Sequence, residues 1–387
     1  MKVLQLPSWY LPEGGQFVLN QSKALQEQGI DVHMLANVVL PWRKYKFGIF
    51  RFPCKAFFTN ENGILHYRCF SRRIPFTDKK NIEKWTNKTV KLFDEYAKKY
   101  GTPDIIHAHS SMWAGYAAAL IKEKYNIPYV ITEHRGRFSE NSQNSIALFK
   151  SFYKPFLQKA FSDADYIITV SEQLQAKIKQ FCERKIPMKT ISNIIDTDFF
   201  HYKKKENDSG DFSFVNANSF DYAKAYDILL PAFDELCRKF PNTRLVLLGK
   251  GFDCAEFQKI LDKTEYKQHI CFAGFQNKEG VRNYLWESDA FVLSSRIEAQ
   301  SQAVLEAMSC GRPVVCTQAV PREIAQDFAA IQCQSNSVSE LAIAMTAMIE
   351  RRKTFDEKTI SDFAKSICSQ EVVAQKIIDI YQQILHR

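Results

Sequence analysis

Residues 294–308, SSRIEAQSQAVLEAM, decide how the chain folds. An apolar run from Ala290 to Leu293 precedes this stretch and predicts a strand that is buried on both faces. Apolar positions at helical spacing follow and end at Gly311, a residue type that is favoured just after a helix. A second apolar run, Pro313 to Cys316, predicts the next strand. The order strand, loop, helix and strand is typical of a parallel α/β sheet.

Polar residues in the same stretch indicate a ligand. In open parallel sheets a ligand binds beyond the carboxyl ends of the strands, where Glu298 is expected. If Ser301 caps the helix, the free N–H groups of the first turn can bind an anion. A polar stripe of Gln302, Glu306 and Ser309 interrupts an otherwise apolar helix, and a buried carboxylate there is costly without a partner. An ordinary loop glutamate and a solvent-exposed helix glutamate are the alternative interpretation.

The spacing of the two glutamates resembles a known signature. Glu298, seven further residues, and then Glu-Ala-Met-x-x-Gly-x-Pro-Val-Val from Glu306 resemble the donor site of the retaining family 4 glycosyltransferases, which have the GT-B fold. The resemblance implies that Glu298 contacts sugar hydroxyls and that Glu306 contacts the ribose of the nucleotide. It also implies three further donor-binding residues, Gln300, Ser301 and Gln302. The family usually has Glu-Gly-Phe-Gly where this chain has Glu-Ala-Gln-Ser.

Further positions resemble the same family, and one position departs from it. Lys224 matches a lysine that contacts the phosphates, whereas Ser219 stands where the family usually has an arginine. His134, after a predicted strand, matches a residue beside the transferred sugar, and His109 ends the preceding strand. Histidines at strand ends are as often core residues with a backbone partner. Gly15 follows the first strand, like the family glycine that faces the donor diphosphate, although a plain tight turn is the alternative.

We therefore expect three catalytic residues, His134, Glu298 and Lys224. By sequence, Arg135 and Arg137 are the nearest cations that could replace the charge missing at Ser219, and exposed loop arginines are the alternative. The resemblance implies retaining hexosyl transfer from a nucleotide diphosphate sugar to a glycan or lipid-linked acceptor in cell-surface polysaccharide synthesis. It implies no cofactor and no metal, which agrees with the lack of an Asp-x-Asp motif near the site. The alternative is a GT-B protein that binds a nucleotide sugar or a polyanion without turnover.

The order of predicted elements gives two Rossmann-like, doubly wound α/β domains that face a cleft. The linker is assigned to charged residues that lack apolar periodicity. The expected parts are an acceptor-binding domain over 1–200, a linker over 201–211, a nucleotide-sugar domain over 212–368, and a helix over 369–387 that crosses back to the first domain.

Composition indicates a globular protein rather than a membrane-spanning or disulfide-rich one. The 387 residues are 45% hydrophobic and 25% charged, and no apolar run is long enough to span a bilayer. The ten cysteines show neither a C-x-x-C pair nor interleaved histidines. Because the first predicted strand, Lys2 to Leu6, begins at the second residue, we expect no signal peptide. We expect a cytoplasmic location, with contact to the inner face of the membrane.

The net charge of +9 lies almost wholly in residues 1–110, which contain 17 Lys and Arg against 9 Asp and Glu. Within this part, residues 42–58 interleave aromatic and basic side chains. That mixture is typical of a reversible contact with an anionic membrane surface. Nucleic acid and a loop with its aromatic rings folded inward are the alternatives. With the family resemblance, we expect the membrane surface and no nucleic acid.

Overall fold

The structure of the protein is a computed structural model that describes residues 1–73, 77–138, 152–205 and 210–386. The chain folds into two compact units. The first comprises Met1–Ile194 together with the chain from Gln370 onward, and the second comprises Ile195–Ser369. Each unit has its own hydrophobic core, as expected of an independent domain.

Eight strands form the sheet of the first unit: β1 (Lys2–Pro7), β2 (Asp31–Leu40), β3 (Phe57–Glu61), β4 (Ile64–Arg72), β5 (Ile105–His109), β6 (Tyr129–Glu133), β7 (Tyr166–Thr169) and β8 (Met188–Thr190). Their order is β3-β4-β2-β1-β5-β6-β7-β8, and all neighbours are parallel except β3 and β4. The central strands β5 and β6 are buried along their whole length and are apolar except near their carboxyl ends, where they carry His107, His109, Thr132 and Glu133.

Helices connect these strands and cover the sheet. In chain order they are α1 (Gln16–Glu27), α2 (Trp42–Tyr45), α3 (Asp78–Tyr100), α4 (Tyr116–Tyr125), α5 (Lys154–Ser162) and α6 (Glu172–Lys179). The helix α1 presents Val18 and Leu25 to the core, in keeping with its helical apolar spacing.

Six parallel strands form the sheet of the second unit: β9 (Phe212–Ala217), β10 (Thr243–Leu248), β11 (Ile270–Gly274), β12 (Ala290–Leu293), β13 (Val314–Thr317) and β14 (Ala330–Cys333). Their order is β11-β10-β9-β12-β13-β14. The helices are α7 (Tyr226–Lys239), α8 (Ala255–Leu261), α9 (Lys278–Glu287), α10 (Gln302–Ser309), α11 (Val338–Glu350) and α12 (Glu357–Cys368). Residues 294–308 therefore form the loop after β12 and most of α10, as predicted.

The last helix, α13 (Gln370–Leu385), returns to the first unit and packs against α1. Its residues Val373, Ile377 and Tyr381 belong to the first core. The Tyr381 hydroxyl is hydrogen-bonded to Nδ1 of His107 on β5 at 2.5 Å. This crossing back of the last helix is part of the predicted fold class.

The chain passes between the units at other residues than the sequence indicates. The second unit begins at Ile195, whereas the prediction extends the first domain to residue 200 and begins the second domain at residue 212. The Ile195 N–H donates to the Cys368 carbonyl at 2.9 Å, and the Ile195 side chain lies in the second core. Of the predicted linker, residues 206–209 lie outside the described residues. The sequence also does not predict the β3–β4 hairpin, because β3 begins inside the aromatic and basic segment.

Candidate active site

The second unit brings Lys224 and Glu298 together at the carboxyl edge of its sheet. Lys224 ends a 3-10 turn after β9, and Glu298 lies in the loop between β12 and α10. Lys224 Nζ and Ser295 Oγ both donate to Oε1 of Glu298, each at 2.7 Å. Only 8% of the Glu298 side chain is exposed. These donors therefore offset the cost of burying its carboxylate.

Arg296, which the sequence does not single out, ties the two loops together. Its guanidinium donates to Asp227 Oδ1 and Oδ2 at 3.0 and 2.6 Å, and its backbone N–H donates to the Ala223 carbonyl at 2.7 Å. A bidentate arginine–carboxylate pair fixes both position and orientation. The loop that carries Glu298 is thereby fixed to the turn that carries Lys224. The only feature of the sequence that indicates a role for Arg296 is its position two residues before Glu298.

The helix α10 begins at Gln302 with Ser301 as its N-cap residue, but the Ser301 side chain makes no capping hydrogen bond. The N–H groups of the first turn have no acceptor within the helix and lie at the positive end of its dipole, so they can bind an anion. Gln302 is exposed, whereas Ser309 is buried and donates to the Leu305 carbonyl at 2.7 Å. The polar stripe of this helix therefore consists of Gln302 and Glu306 alone.

Glu306 is a half-buried carboxyl group on α10. Burial raises the pKa of Glu306 from 4.5 to about 7, and the positive charge of Lys278 opposes that rise. In the described part of the chain, no hydrogen-bond donor reaches its side chain. A ligand hydroxyl group that donated to this carboxylate would therefore relieve part of the burial cost.

Ser219 lies exposed in the turn after β9, and it connects this turn to the loop after β10. Its Oγ accepts from the Lys250 N–H at 3.1 Å, while the Phe220 N–H donates to the Lys250 carbonyl at 2.8 Å. Gln300, the remaining predicted donor residue, is buried in the loop before α10. The structure thus places Ser219, Lys224 and residues 298–302 at the carboxyl edge of one sheet, and Glu306 lies one turn further along α10.

The first unit has three histidines in contact at the carboxyl edge of its sheet. His134 Nε2 is hydrogen-bonded to His109 Nδ1 at 3.1 Å, and His134 Nδ1 lies 2.9 Å from Asn193 Oδ1. His109 Nε2 lies 2.6 Å from Gln5 Oε1. The His109 ring stacks on that of His107 with centroids 4.6 Å apart. The two predicted residues, His109 and His134, are therefore direct neighbours.

Burial keeps this histidine cluster neutral. It lowers the pKa of His134 and of His107 from 6.5 to about 3, and it lowers the pKa of His109 well below 6.5. The hydrogen bond to Asn193 partly opposes the change in the pKa of His134. At neutral pH the partly exposed His134 ring can offer a ligand an uncharged contact, while His107 and His109 are fully buried behind it.

Glu133, at the end of β6, fixes the loop that carries His134 and was not predicted. Its carboxylate is fully buried and accepts from the Ser111 N–H and Oγ at 2.9 and 2.7 Å. It also accepts from the N–H groups of His134 and Arg135 at 3.2 and 3.1 Å. A carboxylate with this many donors is a structural anchor of the loop. The sequence signal for it is the Glu-His pair that follows an apolar strand.

Gly15 and Arg135 both contact Trp9 in the first unit. Gly15 has a φ of 81°, and a Cβ atom there would lie 2.7 Å from the Trp9 carbonyl oxygen, so the loop requires glycine. The Arg135 guanidinium lies over the Trp9 ring at 4.4 Å. Arg135 is therefore a stacked residue and not a solvated loop arginine. The side chain of Arg137 lies outside the described residues.

Residues 42–58 are partly folded inward and partly exposed. Four of their apolar side chains pack into or against the first core: Tyr45, Ile49, Phe52 and Phe57. Three others are exposed: Trp42 (52%), Phe47 (79%) and Phe50 (61%). The Trp42 ring contacts those of Phe47 and Phe50, with centroids 5.6 and 6.5 Å apart. We call these three residues the aromatic patch. Across the described ranges, no helix combines the length and hydropathy needed to cross a bilayer.

The sequences of both units match models of glycosyltransferase families. The family described as Glycosyltransferase Family 4 matches residues 14–199, and Glycosyl transferases group 1 matches residues 198–363. A Bacillus subtilis protein named as the teichuronic acid biosynthesis glycosyltransferase TuaC is 27% identical over 336 residues, which cover 82% of this chain and 81% of that protein. The glycogen synthase of Mycobacterium tuberculosis is 24% identical over 290 residues, which cover 69% of this chain and 68% of that enzyme.

Solved structures show the same fold. Sucrose-phosphate synthase from Thermosynechococcus elongatus matches with a TM-score of 0.79 at 18% identity over all of both chains. Anabaena HepE, solved with UDP, matches with a TM-score of 0.72 at 18% identity and covers 99% of this chain and 100% of its own. Both are similar to this chain in fold, which is GT-B. From the two family matches and this fold, the chain belongs to glycosyltransferase family 4.

Proposed function

We propose that this glycosyltransferase is a retaining, metal-independent enzyme that moves a hexose from a nucleotide diphosphate sugar to a glycan or lipid-linked acceptor. The observation that carries the proposal is the Lys224–Glu298 pair, which lies just before the N-terminal end of α10. Ligands of open α/β sheets bind at this edge. The names of the similar proteins agree: HepE was solved with UDP-glucose, and TuaC is named for teichuronic acid biosynthesis. A cell-surface polysaccharide is the proposed product.

The proposed chemistry stabilises a leaving diphosphate. As the bond from the sugar to the diphosphate breaks, negative charge grows on the phosphate oxygens, and preorganised positive groups lower the barrier. Lys224 and the first-turn N–H groups of α10 supply those groups. The carboxylate of Glu298 accepts sugar hydroxyls, and that of Glu306 accepts the ribose hydroxyls. Neither is a nucleophile in this scheme. Retention requires that the acceptor hydroxyl attack from the face that the diphosphate leaves, and its proton passes to an oxygen of the departing diphosphate on that face.

The first unit is proposed to bind the acceptor. His134 contacts the transferred sugar as a neutral ring, positioned by His109 and Asn193. Gly15 lets backbone N–H groups approach the diphosphate closely. Glu133 keeps the His134 loop in place, and proton transfer by the histidines has no part in the scheme because burial lowers the pKa of His134 to about 3.

The aromatic patch is proposed to contact the anionic inner face of the membrane, which would bring a lipid-linked acceptor to the enzyme. Exposed rings that touch one another form a continuous apolar surface, unlike scattered exposed residues. The Arg72 guanidinium lies over the Phe50 ring at 4.4 Å, so a cation lies directly beside the patch. Arg43, Lys46 and Arg51 flank it in sequence. Aromatic rings that insert and cations that meet anionic headgroups act together at such a surface.

Incubation with a panel of UDP-, GDP- and ADP-hexoses tests the proposal. We expect one of them to release free nucleoside diphosphate faster with a glycan or lipid-linked acceptor present, without added metal and in the presence of a chelator. The anomeric configuration of the product, read by NMR, should equal that of the donor. Glu298→Gln is the matched inactive variant. Nucleotide binding without release by any donor would favour the non-catalytic alternative, and an inverted product would contradict the retaining assignment.

A further inference from the structure

The loop after β10, Gly249-Lys250-Gly251, lies against the turn after β9. Two hydrogen bonds join them: Lys250 N–H donates to Ser219 Oγ, and Phe220 N–H donates to the Lys250 carbonyl. Gly249 has a φ of 152°, and a Cβ atom there would lie 2.5 Å from the Asn218 carbonyl oxygen. Only glycine permits this approach. The backbone of Lys250 is thus fixed next to Ser219 at the carboxyl edge of the sheet.

The charge of Lys250 is available to a ligand. Two other cations at this edge are already paired, since Lys224 bonds to Glu298 and Arg296 bonds to Asp227. Within the residues that the structure describes, no carboxylate lies within ion-pair distance of Lys250. Its Nζ lies 4.1 Å from the centroid of the Phe275 ring, and the side chain is exposed. An exposed ammonium group held against a ring face can move to an incoming anion at little cost.

We propose that Lys250 is a diphosphate-binding residue that, with Lys224, neutralises the leaving group. The position next to it, Ser219, offers only a neutral hydroxyl, and that hydroxyl is engaged by the Lys250 backbone. The loop after β10 therefore supplies the charge that the turn after β9 lacks. Arg135, one of the two arginines that the sequence analysis considers for this role, is stacked on Trp9 in the first unit. The inference rests on the proposed function. It adds Lys250 to the residues that bind the diphosphate of the donor.

The test compares nucleoside diphosphate with nucleoside monophosphate. Calorimetry first identifies which of UDP, GDP and ADP binds the wild type most tightly, and the same base is then used as its monophosphate. A charged hydrogen bond to the second phosphate is worth a factor of about 10–100 in affinity. We expect Lys250→Ala to lose that factor for the diphosphate and much less for the monophosphate. The loss should shrink at high salt, and Lys250→Arg should retain most of the affinity.

Two further variants separate charge from structure. Lys239→Ala, at an exposed lysine in the last turn of α7, should bind like the wild type. Adding Ser219→Arg to Lys250→Ala should restore diphosphate binding, because an arginine in the neighbouring loop returns the missing charge. Equal weakening for both nucleotides, or no weakening, would overturn the role of Lys250 while the proposed function stands. If the wild type binds none of the three diphosphates, the proposed function itself fails, and this inference fails with it.

Discussion

The two units use the same sheet edge in opposite ways. The first unit fills it with His107, His109 and His134, which are packed together, hydrogen-bonded within the protein and neutral. The second unit fills it with charge, pairing Lys224 with Glu298 and leaving Glu306 without a hydrogen-bond donor in the described residues. The first edge is therefore complete without a ligand, whereas the second holds groups that a polar ligand could satisfy.

This difference follows from the cost of burial. A neutral ring that loses its hydration on burial recovers most of the lost free energy through one or two hydrogen bonds within the protein. A carboxylate recovers it only through a cation or several donors, so its burial favours whatever ligand supplies them. We infer that the groups at the second edge determine the affinity for the donor, and that the rings at the first edge determine which sugars fit sterically. Changes at the second edge should then have the larger effects on binding and transfer.

The largest effect is expected from the charge pair. Lys224→Ala removes a preorganised positive group from the leaving diphosphate and should lower the rate of transfer by at least about 10²–10³-fold. It also leaves the Glu298 carboxylate buried without its cation, which should lower the free energy of unfolding by about 2 kcal/mol. Steady-state kinetics and chemical denaturation measure the two effects separately.

The double variant Lys224→Ala/Glu298→Ala separates chemistry from stability. Removing both charges should return most of the lost stability, because no buried charge remains unpaired. Transfer should stay as low as in the single variant. Near-normal transfer by Lys224→Ala would show that the diphosphate is bound elsewhere and that the second edge is not the donor site.

The next effect concerns Glu306. Because burial raises the pKa of Glu306 to about 7, its carboxylate is formed only as the pH rises through that value. Ribose hydroxyls donate to the ionised form, so nucleotide affinity should increase from about pH 5.5 to about pH 8 and then level off. Glu306→Gln should weaken binding by about 10–100-fold and leave only the pH dependence that comes from the nucleotide's own terminal phosphate, which ionises near about pH 6. Calorimetric titration with a nucleoside diphosphate across that range measures both.

The same group gives a stability test without ligand. The unfolded chain releases the Glu306 proton near pH 4.5, whereas the folded protein keeps it until about pH 7. The free energy of unfolding should therefore fall as the pH rises between these values, by at most about 3 kcal/mol, and not change further above about pH 7. Glu306→Gln should lack this fall. If wild type and variant respond equally, the carboxyl group is better solvated than the structure indicates.

The sequence predicts the residues of this site that lie within one short segment. Glu298, Ser301 and Glu306 occupy fixed positions along a strand, loop and helix, so the fold places them together wherever that unit forms. Lys224 is found only through the family resemblance, because a lysine in a turn has no distinctive local pattern. The fold itself follows from alternating strand and helix patterns, which are also local.

The sequence does not predict the contacts that depend on the mutual approach of distant loops. Arg296 and Asp227 are 69 residues apart, and Ser219 and Lys250 are 31 residues apart. No periodicity encodes such pairs. The sequence-based prediction assigns Arg135 and Arg137 to the missing charge and does not consider Lys250, because the loops after β9 and β10 meet only in the folded sheet.

A smaller effect per substitution is expected from the histidine cluster in acid. Burial lowers the pKa of His107 and His134 to about 3 and that of His109 well below 6.5. The unfolded chain takes up these protons below about pH 6.5 and the folded protein does not, so stability falls as the pH falls from about 6.5 to about 5. Each histidine should contribute up to about 2 kcal/mol to this loss at about pH 5.

His109→Gln should reduce the loss by one such contribution. An unchanged slope in denaturation experiments would mean that the cluster takes up protons while folded.

The smallest effect is expected at the aromatic patch, which distinguishes the outer surfaces of the two units. The second unit also exposes the rings of Tyr222, Phe272, Phe275 and Phe328, but among the described residues none of these rings contacts another of them, and Phe328 contacts Phe363. Changing Trp42, Phe47 and Phe50 together to alanine should weaken sedimentation with anionic vesicles severalfold at low salt, because the apolar contact is lost while the neighbouring cations remain. Phe328→Ala is the matched control and should sediment like the wild type.

Transfer to a water-soluble glycan acceptor should be unaffected by the triple change. If the wild type remains in the supernatant with anionic vesicles, these rings are merely the exposed part of a folded loop, and the membrane contact has to be abandoned without affecting the donor site.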